Sequence, residues 1–127
     1  MNGIIQILIV SEHASVRADL RTIFQLAEGI TVVGEAVSVG DAITQAQTLQ
    51  PDLVLVDLEM SGRQGFDSIA QLKALRLGLA LVAFTAHDYP AARESAARCG
   101  ANTIIIKGTG LEEMLQIIRQ AGQNSHP

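Results

Sequence analysis

The sequence predicts an α/β domain of the doubly wound kind, five βα units around one parallel sheet, and three observations carry that prediction. Five short apolar runs recur along the chain, at residues 4–10, 30–36, 53–56, 79–84 and 103–106. Several are unbroken rather than alternating, as in Ile7-Leu8-Ile9-Val10 and Thr103-Ile104-Ile105-Ile106. That pattern suits strands buried on both faces, which means a parallel sheet covered by helices. The intervening segments place apolar residues at helical spacing. Right-handed crossovers then favour the doubly wound arrangement.

Each element follows from local chemistry. Val16, Leu20, Ile23 and Phe24 fall on one face of the first helix, and Ile43, Ala46 and Leu49 on one face of the second. Ser38 with Asp41 supplies an N-terminal cap for that second helix. Pro51 stands just before the third strand. The Ala-rich stretch from Ala91 to Ala97 reads either as a close-packing surface for a partner or as a short helix with little core contact. Gly100 lies where a C-cap glycine is expected, and Cys99 beside it reads as a small packing residue. The last helix carries the clearest stripe, Leu111, Met114, Leu115 and Ile118, opened by a capping box from Thr109 to Glu112. The whole chain, residues 1–127, reads as one domain, with residues 122–127 as a frayed tail.

Composition agrees. A chain of 127 residues can bury roughly two-thirds of its unfolded surface, enough for one core. Hydrophobic residues make up 48% and charged residues 17%, an ordered globular balance. With three Phe, one Tyr and no Trp, the core must be built from Ile, Leu, Val and Ala. The net charge of −4, with no run of Lys or Arg, argues against direct nucleic-acid binding by this domain. The single cysteine excludes an internal disulfide and a multi-cysteine zinc site. Residues 1–10 show no basic, cleavable leader, and no apolar run approaches the ~18 residues of a membrane span. The expected location is the cytoplasm, without a membrane partner.

In such sheets, active groups collect at the carboxyl ends of the strands. The first strand ends in Ser11-Glu12-His13, and the third in Asp57-Leu58-Glu59-Met60-Ser61-Gly62. The fourth leads into Thr85-Ala86-His87-Asp88, and the fifth into Lys107-Gly108. Two carboxylates, a hydroxyl and a lysine thus converge on one edge. Neighbouring carboxylates repel, and a hard divalent cation such as Mg2+ relieves the repulsion. An aspartate can attack a phosphoryl group, while an ammonium and a hydroxyl stabilise its equatorial oxygens. His13 and His87 read as solvated loop residues rather than a metal pair, because no third ligand is evident. Glu59 reads as an exposed acid that raises the local negative potential.

These stretches resemble the receiver domain of bacterial two-component response regulators, over almost the whole chain from Gln6 to about Gln120. The matching segments are Ile7 to His13, Pro51 to Met60, Thr85, and Gly100-Ala101 leading to Lys107. His13 with Val16, Arg17 and Leu20 is most similar to the subgroup that carries a LuxR-type helix-turn-helix behind the receiver. The resemblance implies a flavodoxin-like strand order, 2-1-3-4-5. It implies that Asp57 accepts a phosphoryl group from a histidine kinase or phosphotransfer protein, with Thr85 turned inward and Lys107 paired with it. It further implies Mg2+ held by Glu12, Asp57 and the backbone carbonyl of Glu59, with Ser11 acting through a water. The domain would be no enzyme beyond its own phosphorylation and dephosphorylation. Output would pass through the fourth helix, fifth strand and fifth helix, to a homodimer or another protein.

Four positions depart from the family pattern. Ser11 and Glu12 replace the usual acidic pair, Ser61 the usual proline after Met60, and Ile104 the aromatic switch residue of the fifth strand. Ser11 and Ile104 keep a second reading open, a phosphorylation-independent receiver acting as a protein-interaction module. A haloacid-dehalogenase-like phosphatase needs paired acids after the first strand and a larger chain. A nucleotide-binding domain needs a glycine-rich phosphate loop, and none is present.

Overall fold

The computed structural model describes residues 3–123. Five strands, β1 (Ile5–Val10), β2 (Ile30–Ala36), β3 (Leu53–Asp57), β4 (Ala80–Thr85) and β5 (Thr103–Ile106), alternate with five helices. The helices are α1 (Ala14–Gln25), α2 (Val39–Leu49), α3 (Gln64–Ala74), α4 (Pro90–Cys99) and α5 (Leu111–Gln123). All neighbouring strands are parallel, in the order β2-β1-β3-β4-β5. This is the predicted flavodoxin-like order.

The pleat divides the core in two. Ile7, Ile9, Leu53, Leu55, Val82, Phe84 and Ile105 face α1 and α5, where they meet Leu20, Phe24, Met114, Leu115 and Ile118. Leu8, Val10, Val54, Val56, Leu81 and Ala83 point the other way, against Ala42, Ala46, Ile69, Leu72 and Ala96 of α2, α3 and α4. Both faces of the central strands are therefore dry, which is why their sequences are unbroken apolar runs. Ile104 and Cys99 pack at the edge of the second cluster. Among the residues of α4 only Ala96 is fully buried, so that helix has little core contact.

The helix ends test the capping arguments. Ser38 accepts a hydrogen bond from the Asp41 N–H at 3.1 Å, and the Asp41 carboxylate accepts one from the Val37 N–H at 3.1 Å. Ser38→Ala is expected to cost about 1 kcal/mol, read as a lower urea midpoint with an unchanged slope. Gly100 ends α4 with a left-handed φ of 119°, as a C-cap glycine should. The box expected at Thr109 is corrected. The Thr109 N–H bonds the Ile106 carbonyl at 3.0 Å, so this residue belongs to the turn after β5, and Gly110 directly precedes α5. Residues 122 and 123, read as part of a frayed tail, belong to α5, and Gly122 is buried. The rest of that tail, 124–127, lies outside the described residues. No helix among the described residues is long and apolar enough to cross a membrane.

Candidate functional site

The register of the sheet assembles the site. Val10 lies opposite Val56, so Ser11 follows opposite Asp57 on the same side of the pleat. Asp57 in turn lies opposite Phe84, and Phe84 opposite Ile105, which places Lys107 on that side as well. Adjacent strands lie about 4.8 Å apart, within reach of these side chains. Lys107 Nζ crosses the Phe84 ring at 5.3 Å from its centroid and reaches Asp57 Oδ1 at 3.2 Å. Burial and an aromatic face strengthen this ion pair relative to one in water.

Asp57 is 2% exposed and almost fully bonded. Oδ2 accepts the Ser11 hydroxyl at 2.7 Å. Oδ1 accepts the Glu59 N–H at 2.9 Å besides the Lys107 ammonium. Ser11 itself has no exposed surface, and the His13 N–H donates to its hydroxyl at 3.1 Å. Arg17 of α1 holds the Ser11 carbonyl at 2.9 Å while paired with Glu35 of β2. The first departure from the family pattern is thus a direct hydrogen-bond donor to Asp57, a role the water-mediated expectation for Ser11 did not include.

The other acids are drawn elsewhere. Glu12 accepts both the N–H and the hydroxyl of Ser61, the latter at 2.7 Å. These bonds, the backbone one foremost, hold the Glu12 carboxyl below its usual pKa, against the smaller upward push of desolvation and, last, of the Asp57 carboxylate. A proline at position 61 would have no N–H to give. The longer Glu12 side chain and the serine at 61 therefore work as a matched pair. Glu59 is not the exposed acid expected. Its Oε1 accepts the Ala86 N–H at 2.7 Å and pairs with Lys107 Nζ at 3.2 Å, while Oε2 is buried with no partner.

His13 is exposed, as expected, and its Nε2 also lies 2.8 Å from the Glu59 carbonyl oxygen. His87 stays apart and stacks on Tyr89 at 5.7 Å. Thr85 points to the opposite side of the pleat from Asp57. It is buried, and its hydroxyl accepts the His87 N–H at 3.1 Å. Its link to the site is its carbonyl, which accepts the Lys107 N–H at 2.7 Å. Among the described residues, no three His, Cys, Asp or Glu side chains stand together as a metal cluster.

Comparison with known proteins gives this geometry a family. The response regulator receiver domain matches residues 7–119. The nitrate/nitrite response regulator protein NarL of Escherichia coli is 31% identical over 91% of this chain, and covers it with 53% of its own length. The response regulator GacA of Pseudomonas aeruginosa is 35% identical over 94% of the chain and 56% of its own. The chain therefore spans about half the length of these relatives. Among solved structures, the response regulator domain of Thermotoga maritima CheB superposes with a TM-score of 0.84 at 26% identity, over 94% of this chain and 97% of that one. A LuxR-family two-component response regulator from Aurantimonas sp. gives 0.89 at 25% identity, over 98% and 89%. Strand order, the buried aspartate beneath a lysine and these likenesses agree: the chain belongs to the response regulator receiver domain family.

Proposed function

We propose that this receiver takes up a phosphoryl group on Asp57 from the phosphohistidine of a histidine kinase or phosphotransfer protein. The observation that carries the reading is a carboxylate at the end of β3, nearly excluded from solvent, with the Lys107 ammonium at 3.2 Å. In the transfer, an Asp57 oxygen forms a bond to phosphorus as the phosphorus–nitrogen bond of the donor breaks, and the imidazole leaves. Lys107 balances negative charge on the transferring oxygens. Thr85 would serve as the hydroxyl partner after turning from its present bond with the His87 N–H.

The donor set fits a hard divalent cation in kind. It consists of the Glu12 and Asp57 carboxylates and the Glu59 carbonyl, all oxygens, with Ser11 able to hold a metal-bound water. Only two of these are carboxylate side chains, so a three-side-chain cluster is not expected. Each donor now has an internal partner: Ser61 for Glu12, Ser11 for Asp57 and His13 for the Glu59 carbonyl. Mg2+, when bound there, supplies positive charge to the incoming phosphoryl oxygens.

The test is intact mass after incubation with acetyl phosphate and Mg2+. One added phosphoryl group is expected, absent in Asp57→Asn and absent when Mg2+ is chelated. No adduct on the unaltered protein would leave the phosphorylation-independent interaction module. The signal would leave through α4, β5 and α5, to a second copy or another protein. Nucleic-acid contact, as in regulators with an output domain, would belong to that domain, and the setting is the cytoplasm.

A further inference from the structure

We infer that the Glu59 carboxylate is a resident anion on the phosphoryl-anchoring donors of this receiver, which an incoming phosphoryl group must displace. The inference rests on the reading of Asp57 as phosphoacceptor and adds a regulatory part to that site. Two donors meet at Glu59 beside Asp57: the Ala86 N–H just after β4 and the Lys107 ammonium after β5. Glu59 holds both, at 2.7 and 3.2 Å through one oxygen. The same ammonium also reaches Asp57 at 3.2 Å, so one lysine bridges acceptor and occupant.

A phosphoryl group brings a charge of roughly −1.5 to −2 and three strong acceptor oxygens. It needs these donors more than a carboxylate does, and the single Ala86 N–H, unlike the three-donor ammonium, cannot serve both anions. The second Glu59 oxygen, buried without a partner, makes the resident state an imperfect one. An unsatisfied buried acceptor costs free energy that is recovered when the side chain swings out to water. Glu59 therefore has two states, seated on Ala86 and Lys107 or released, and phosphoryl uptake selects the second. Since Ala86 opens the loop to α4, the exchange of one anion for another is made at the base of the proposed output face.

Occupancy lowers the apparent affinity for a competing group by the fraction of free sites, so Glu59→Gln and Glu59→Ala should speed uptake from acetyl phosphate by about tenfold. Glu59→Asp separates occupancy from simple charge: it keeps the charge but is one methylene too short to reach Ala86. If occupancy is the brake, the aspartate variant is also fast. A slow aspartate variant beside a fast glutamine variant overturns the inference in favour of charge repulsion alone, and equal rates in all four proteins overturn it outright. Amide exchange at Ala86, measured without phosphoryl donor or Mg2+, is the independent arm. It should quicken by about tenfold in Glu59→Ala, and an unchanged rate would overturn the seated contact. If no protein in the series is phosphorylated, the receiver function fails, and the exchange result alone decides the Glu59 contact.

Discussion

Replacing Gly65 by alanine should destabilise the domain by about 3 kcal/mol, through overpacking against backbone that has nowhere to go. Gly65 is buried in the first turn of α3. A Cβ there would stand 2.7 Å from the Asp57 carbonyl oxygen and 2.8 Å from the Leu58 Cα. Both atoms belong to the segment that carries the acceptor carboxylate, and neither can rotate aside as a side-chain tip could. The helix must therefore back away from β3, or the loop from Leu58 to Ser61 must shift. Gly40→Ala is the matched control. Gly40 also lies in a first helical turn, but a Cβ there meets nothing within 4 Å, so alanine should be neutral or add about 0.5 kcal/mol. In thermal melts the Gly65 variant should fall by roughly 10 °C while the Gly40 variant holds. Because the shifted loop holds the Glu59 and Ser61 donors, phosphoryl uptake should drop as well in Gly65→Ala. A Gly65 variant as stable as the Gly40 one would mean that α3 docks less tightly than its geometry requires.

The order of elements was legible because it depends on patterns local in sequence: unbroken apolar runs for strands buried on both faces, helical spacing between them, and caps at Ser38 and Gly100. The gathering of Asp57 and Lys107 was legible too, since parallel strands bring their carboxyl ends to one edge whatever the side chains do. The connections within the site were not. Nothing in the string of residues says that His13 turns toward the Glu59 carbonyl, or that Glu59 folds inward onto Ala86 instead of outward to water. Those choices depend on side-chain torsions and on which donors the neighbouring strands leave vacant. Ser61 is an intermediate case. The absence of proline at that position was visible, but its consequence, an N–H and a hydroxyl for Glu12, needed the loop to be seen in space. Thr85 shows the limit of the family pattern: the residue matches, while its hydroxyl serves its own loop.

Ser11→Asp is expected to make the stability of the domain depend on a divalent cation more strongly than that of the native chain. The native hydroxyl gives Asp57 a buried hydrogen bond of 2.7 Å without adding charge. An aspartate removes that donor, at about 2 kcal/mol for a bond to a charged acceptor, and sets a second carboxylate against Asp57 on the same side of the pleat. Without metal, the like charges lower stability further or are relieved by taking up a proton. With Mg2+ the same pair becomes a stronger ligand set, since hard cations favour added carboxylate oxygens. A ligand present at a hundred times its dissociation constant stabilises by about 2.7 kcal/mol, enough to offset most of the loss. Melts in chelator and in excess Mg2+ should therefore lie further apart for Ser11→Asp than for the native chain. Ser11→Ala separates the two causes: it loses the donor but gains no charge, so it should be destabilised to a similar degree in both buffers. If all three proteins respond alike to Mg2+, then the position of Ser11 beside Asp57 does not govern cation binding. The serine would then act only as the hydrogen-bond donor that keeps a buried carboxylate in place.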